Sequence, residues 1–161
     1  MQVERIMIRD VKTCSANDTL NRAAQLMWEN DCGCIPVIAA DGDGRVIGIV
    51  TDRDICMAAY TQGRPLFEIP VASAMARKVI ACSPTDDLKR AETLMHDNQI
   101  RRLPVLDERG RLLGIISIND IAREAARERA SRRGAVEVSD AEIGYTFEGI
   151  CQPHRHDGPA A

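Results

Sequence analysis

Two hydroxyls each stand three residues ahead of a carboxylate, Thr51 before Asp54 and Ser117 before Asp120. Each pair follows an apolar run, Val46 to Val50 in one case and Leu112 to Ile116 in the other, and opens a segment with helical character. A hydroxyl at a helix N-cap accepts from the unpaired amides of the first turn, and a carboxylate in that turn complements the positive end of the helix dipole. The same carboxylate can accept from hydroxyl groups of a bound molecule, and the helix start favours an anion beside it. For one pair alone, capping is the plainer reading. A second pair in the same setting makes a ligand role worth weighing against it.

Other candidate chemistries lack convergent partners. Cys32-Gly33-Cys34, and Cys151 with His154 and His156, show no pattern of two separated ligand pairs that would hold zinc. Asp41-Gly42-Asp43-Gly44 lacks the spacing and the distal Glu of a calcium loop and reads as a hairpin turn. Arg123, Arg127, Arg129, Arg132 and Arg133 are interleaved with Glu124 and Glu128, the pattern of a solvated helix face. His96 has no Ser, Cys or acidic partner placed for catalysis and reads as a surface residue. No nucleophile, acid–base pair or metal set converges, so the chain reads as non-catalytic. A net charge of −3 and 3% aromatic residues argue against nucleic acid and anionic membrane as partners. No apolar run reaches the roughly 18–20 residues of a membrane span, and the first residues lack a signal-peptide core, which points to the cytoplasm. There the six cysteines would stay reduced, serving mostly as small buried apolar residues.

The elements that must position these groups come in two copies. Cys14-Ser15-Ala16-Asn17-Asp18-Thr19-Leu20 recurs 68 residues on, from Cys82, and the same offset joins Leu26-Met27 to Leu94-Met95 and Ile35-Pro36-Val37 to Leu103-Pro104-Val105. After a turn that is two residues longer in the first copy, the offset is 66, joining Gly48-Ile49-Val50-Thr51 to Gly114-Ile115-Ile116-Ser117 and Asp54 to Asp120. The lead-ins match as well, Val3 and Met7 with Val71 and Met75. Each copy reads β-α-β-β-α. It has a short β segment (Val11 to Cys14), a cap at Asn17 or Asp18, and a helix with the stripe Leu20, Ala23, Ala24, Met27. A hairpin led by Pro36 or Pro104 and a second helix capped by Thr51 or Ser117 complete it. In the second copy the stripe is Leu88, Ala91, Glu92, Met95, with one polar exception.

The predicted fold class is α/β (α+β), two β-α-β-β-α repeats burying their sheets against each other. Residues 1–60 form the first repeat with its lead-in, 61–70 a linker with two prolines and a glycine, and 71–133 the second repeat with a last helix running to Gly134. Residues 134–161 form a tail in which Ser139-Asp140-Ala141-Glu142 is a capping box opening a short helix, and residues 153–161 read as frayed.

The paired motifs give the chain a family resemblance. Gly48-Ile49-Val50-Thr51-Asp52-Arg53-Asp54 and Gly114-Ile115-Ile116-Ser117-Ile118-Asn119-Asp120 resemble the ribose-binding motif G-h-x-[ST]-x-x-[DN] of cystathionine β-synthase (CBS) domains. Ile35-Pro36-Val37 and Leu103-Pro104-Val105 resemble that family's h-P-V strand, and the likeness covers about residues 1 to 125. It implies a tandem pair with pseudo-two-fold symmetry and two clefts that accept AMP, ADP, ATP, NAD or S-adenosylmethionine. By similarity, cleft A combines Thr51 and Asp54 with Lys78, Val79, Ile80, Arg101, Arg102, Leu103 and Pro104. Cleft B combines Ser117, Asn119 and Asp120 with Val11, Lys12, Gly33, Cys34, Ile35 and Pro36. Asp54 and Asp120 would accept the ribose hydroxyls, while Arg101 and Arg102 suit phosphate oxygens. The matching positions in cleft B, Gly33 and Cys34, carry no charge, so Arg53 would have to supply it unless it is a solvated helix charge. The resemblance further implies a homodimer formed through helices whose outer faces carry Met27, Trp28, Met57 and Tyr60, and an unidentified protein that it regulates. An interaction scaffold with vestigial clefts is the alternative.

Overall fold

The computed structural model describes residues 1–131 and 138–152. Gly134, Arg132, Arg133, His154, His156 and the end segment 153–161, for which readings were given above, lie outside the described residues. Two compact units emerge, one of residues 8–84 with 104–115, the other of residues 1–7, 85–103 and 116 onward.

In the first unit, β1 (Cys14–Ser15) lies parallel to β2 (Cys34–Ile38), and β2 pairs antiparallel with β3 (Val46–Thr51). The predicted β segment at Val11 to Cys14 is thus shorter and later, and β2 starts two residues before Pro36. Pro36 is accepted in a central strand because β1 pairs only with Val37 and Ile38, so the ladder on that side ends before the missing amide would matter. Helix α1 (Leu20–Glu29) lays Leu20, Ala23, Leu26 and Met27 onto Ile35, Val37 and Val50. Met27 is only 6% exposed, so the expected outer-face role fails for it: it falls on the same stripe as Leu20 and Ala23. Trp28, Tyr60 and Met57 do stand exposed, Trp28 at 88%.

The cap of α1 is also corrected. Thr19 accepts from the Arg22 amide, while Asp18 closes the preceding turn by accepting from the Ser15 amide at 2.7 Å. Asp18 is therefore committed one residue too early to cap, and its carbonyl accepts from Val71 N. Asp87, the equivalent of Thr19, caps the matching helix.

Helix α2 (Asp52–Gln62) follows β3 and stops at Gly63, whose φ of +60° suits a residue without Cβ. The chain between the repeats is built in: Ile69 and Val71 are fully buried, and Leu20 N donates to Ile69 O at 2.8 Å. It then runs antiparallel past β3, pairing Ala76 with Ile49. Ile8 pairs with Ile115 and Cys82 with Val105, each the repeat equivalent of a pairing in the first copy (Ala76 with Ile49, Cys14 with Val37). The Asp41–Gly44 segment is a turn with positive φ at Gly42 and Gly44, as the hairpin reading requires.

The second unit holds three helices, α3 (Leu88–Asn98), α4 (Ile118–Ser131) and α5 (Asp140–Cys151). The N-terminal segment joins it: Val3 is fully buried, its amide donates to Asp86 O, and Leu88 N donates to Met1 O. Strands β4 (Arg102–Leu106) and β5 (Leu112–Ser117) pair with each other. The capping box read at Ser139 and Glu142 is present, with Ser139 Oγ accepting from Glu142 N and donating to Glu142 Oε2. His96 is not a free surface residue. Its ring stacks on Tyr145 of α5, centroids 4.2 Å apart and planes within 8°, because α5 covers the α3 face that carries it.

Gly48 is where this packing allows no side chain. A Cβ there would lie 2.8 Å from Met75 Sδ and 3.0 Å from the Ala76 carbonyl. Gly48→Ala should therefore cost about 1–3 kcal/mol in urea unfolding, as overpacking does. Gly144→Ala, in α5 with open space around it, should instead add about 0.5–1 kcal/mol. Equal stabilities for the two variants would contradict the close approach at Gly48.

Candidate functional site

Strand β3 ends on Thr51 and α2 begins on the next residue, so the hydroxyl is the N-cap and Asp54 occupies the third helical position. Thr51 Oγ1 accepts from the Asp54 amide at 3.2 Å, while Asp54 Oδ2 accepts from the Thr51 amide at 2.9 Å and hydroxyl at 2.7 Å. The second copy repeats this at the end of β5. Ser117 Oγ accepts from the Asp120 amide at 3.3 Å, and Asp120 Oδ2 accepts from the Ser117 amide at 2.8 Å and hydroxyl at 2.6 Å. Backbone positions match too: Asp52 N donates to Gly33 O and Ile118 N to Arg101 O. Both carboxylates therefore perform the capping that the sequence allowed, each using one oxygen.

The other oxygen differs between copies. Asp54 is half-buried, and its Oδ1 takes no hydrogen bond among the described residues. Asp120 is 5% exposed, and its Oδ1 accepts from the guanidinium of Arg123. Arg123 escaped the sequence reading because it was grouped with a solvated arginine face. The signal was available, since an Arg three residues after an Asp on a helix is an ion-pair spacing. Met57 holds the equivalent place in the first copy, which leaves Asp54 without such a partner.

The remaining predicted residues divide by burial. Ile35 and Leu103 are fully buried, and Cys34, Pro36 and Pro104 are buried, so toward a ligand these positions offer backbone. Val11, Gly33, Val79, Ile80 and Arg102 are half-buried, while Lys78, Arg53, Arg101 and Asn119 are exposed. The Lys12 ammonium pairs with Asp10 at 2.9 Å. Thr51, Arg53, Asp54, Lys78, Val79, Ile80, Pro104, Val11, Lys12, Gly33, Cys34, Ile35 and Pro36 belong to one unit; Arg101, Arg102, Leu103, Ser117, Asn119 and Asp120 belong to the other.

Among the described residues no group of three or more His, Cys, Asp or Glu side chains is placed to hold a metal. Cys14, Cys34 and Cys82 are buried, as expected of small apolar residues, whereas Cys56 and Cys151 are exposed and Cys32 lies between. Burial, reinforced by Asp18, pushes the Cys14 thiol up to about 11, which keeps it protonated and unreactive. No helix among the described residues is long and apolar enough to cross a membrane.

The capping geometry has a measurable consequence without any ligand. Thr51→Ala and Ser117→Ala should each lower unfolding free energy by about 0.5–2 kcal/mol. A neutral result in chemical denaturation would deny the hydroxyls their capping role.

Comparison with known proteins bears on the same motifs. The family model for the CBS domain matches twice, over residues 3–60 and 71–127. The CBS domain-containing protein YhcV of Bacillus subtilis (strain 168) is 38% identical over 120 residues, covering 74% of this chain and 82% of that protein. Inosine-5'-monophosphate dehydrogenase of Methanocaldococcus jannaschii is 29% identical over 149 residues, 91% of this chain but only 28% of the enzyme. The solved CBS domain pair of protein MJ0100, in complex with 5'-methylthioadenosine and S-adenosyl-L-methionine, superposes with a TM-score of 0.71 at 23% identity, covering 80% of this chain and 98% of that one. Two full family matches, a relative aligned along most of its length and a shared fold lead to one conclusion: the chain belongs to the CBS domain family and carries two copies of the domain.

Proposed function

We propose that the chain is a non-catalytic regulatory module that binds adenosine-containing nucleotides, AMP, ADP, ATP or NAD, and signals its ligand state to a partner protein. The observation that carries this reading is the Asp54 carboxylate. Hydrogen bonds from Thr51 orient it through Oδ2, and Oδ1 is left with two lone pairs, enough for the two hydroxyls of a ribose. The start of α2 adds positive potential beside it for a phosphate. Support for the ligand class comes from the MJ0100 domain pair, whose two ligands both contain adenosine. S-adenosylmethionine is accordingly the second ligand reading.

In this proposal cleft A joins Thr51 and Asp54 to Lys78, Val79, Ile80 and the Arg101–Pro104 segment. Cleft B joins Ser117, Asn119 and Asp120 to Val11, Lys12 and the Gly33–Pro36 segment, with Arg53 at its edge. The clefts are unequal on two counts. Arg101 and Arg102 give cleft A guanidinium groups for phosphate, and Arg123 occupies the Asp120 oxygen that cleft B would use. A cytoplasmic setting belongs to the same proposal.

A saturating nucleotide, at about 100 times Kd, should raise the unfolding free energy by roughly 2.7 kcal/mol. Calorimetric titration of AMP should show one dominant site that Asp54→Asn weakens by roughly 1.5–3 kcal/mol, about tenfold to a hundredfold. Arg101→Ala with Arg102→Ala should weaken AMP much more than adenosine, and Arg123→Ala should strengthen the second site. No thermal shift with AMP, ATP, NAD or S-adenosylmethionine at millimolar concentration would leave the scaffold reading in place.

The module is also proposed to be a homodimer. The support is the apolar outer face of α1 and α2, where Trp28, Tyr60 and Met57 are exposed together with Phe67 of the following turn. Such surface is normally covered. Sedimentation at micromolar concentration should give twice the 17.7 kDa of one chain; a monomer would refute the pairing.

A further inference from the structure

Helix α5 lies beyond both CBS matches, which end at residue 127, yet it packs closely on α3. Gly149 meets the His96 ring so tightly that a Cβ there would sit 2.1 Å from the imidazole, and Tyr145 stacks on the same ring. One turn back along α3, Glu92 is 6% exposed, and its Oε1 is buried with no hydrogen-bond partner. This carboxyl lines a cavity of about 220 Å³ between α3 and α5, together with Lys89, Thr93, Glu142, Tyr145 and Thr146. A buried, unpaired carboxyl is tolerable as the neutral acid and costly as the anion.

The charges facing it decide the sign. From α5, Glu142 is held ionised by the Ser139 amide and hydroxyl, so it meets Glu92 as a like charge. From the start of α3, Asp87 acts in the same direction and Lys89 against both. On α4, Arg123 is engaged by Asp120, Arg127 by Glu124 and Arg129 by Asp140, and Glu128 accepts from the Val138 amide. His96, next along α3, has Asp97 at its Nδ1.

We propose that α5 is a pH-governed cover of α3, docked while Glu92 carries its proton and loosened when Glu92 ionises against Glu142. The cover breaks the equivalence of the two copies. Under the 68-residue offset His96 matches Trp28, which stands exposed, and Glu92 matches Ala24, which packs at the edge of the core, so the α3 face that α5 hides corresponds to the α1 face open at Trp28. Loosening α5 would give the second copy an open helix face like that of the first, and a change in pH would then alter what the module presents to other molecules. This inference does not depend on nucleotide binding.

Burial first, then Glu142, pushes the Glu92 carboxyl up from 4.5 to about 7. Below pH 4.5 the group is protonated whether or not α5 is docked, and docking is at full strength. Between about 4.5 and 7 only the undocked form ionises, so docking weakens up to tenfold per pH unit, roughly 300-fold in all, and then levels.

Hydrogen exchange of the full chain, corrected for the intrinsic pH dependence of exchange, reads this directly. Amide protection in α5 should fall by that order between pH 4.5 and 7 while α1 and α2 stay constant. Glu92→Gln should hold the acid-side protection through pH 8, and Glu142→Gln, by removing the like charge that raises the docked Glu92 carboxyl, should leave the onset of the fall unchanged but make the fall smaller and end it at lower pH than in wild type. Gly149→Ala should lower α5 protection at every pH. Constant α5 protection in the wild type, a pH dependence that survives Glu92→Gln, or an equal loss in α1 and α2 would each overturn the proposal.

Discussion

The amide and carbonyl of Ile49 exchange hydrogen bonds with Ala76 at 3.0 and 2.8 Å, and the chain can come that close only because residue 48 has no side chain. Much follows from this approach. The lead-in of the second repeat, having already hydrogen-bonded to Asp18 and left Ile69 and Val71 buried beside α1, is carried across β3 just before its end. The end of β3 is thereby held on one side by β2 and on the other by the lead-in, which sets the direction in which α2 departs. Thr51 and Asp54 stand at that departure point. The glycine at the head of the motif and the carboxylate at its foot are thus parts of one arrangement: the first lets the strand be clamped, and the second uses the fixed helix start.

Three helices open with the same reciprocal capping, at Thr51 with Asp54, Ser117 with Asp120, and Ser139 with Glu142. What distinguishes them is the surroundings of the carboxylate. Asp54 keeps an oxygen unclaimed by the described residues, Asp120 gives its second oxygen to Arg123, and Glu142 faces a buried acid. Capping explains why a carboxylate is present in each case and says nothing of ligand binding. The functional distinction rests on the second oxygen, whose environment depends on residues a turn away or on another helix.

The second repeat is treated differently from the first by the C-terminal helix. On α1 the stripe toward the core is apolar and the opposite face is open at Trp28. On α3 the corresponding region carries Glu92 and His96, polar groups that α5 buries or half-buries. Burying a carboxyl without a hydrogen-bond partner is destabilising once it ionises, and the proposal for α5 rests on that cost at Glu92. The His96–Tyr145 stack and the close approach at Gly149 are the other contacts that hold α5 on α3.

The repeat, and with it the order of elements, the stripe of α1, the hairpins and the three capping residues at 51, 117 and 139, was legible from residue spacing alone, because each depends on hydrogen bonds or periodicity within a few residues. The sequence also marked Glu92 as the one polar member of its stripe, but it could not say that α5 would cover it, since that contact joins positions about fifty apart. The cap of α1 went to Thr19 because the Asp18 side chain closes the preceding turn, accepting from the Ser15 amide, while the Asp18 carbonyl accepts from Val71 N in the distant chain between the repeats. His96 went under a ring for a similar reason, the distant Tyr145, whereas Met27 lies inward on the stripe that spacing alone marks. Local chemistry determined which groups were available at the candidate site; tertiary packing decided which of their oxygens were already taken, because a lone pair is claimed by whatever donor the fold brings within about 3 Å.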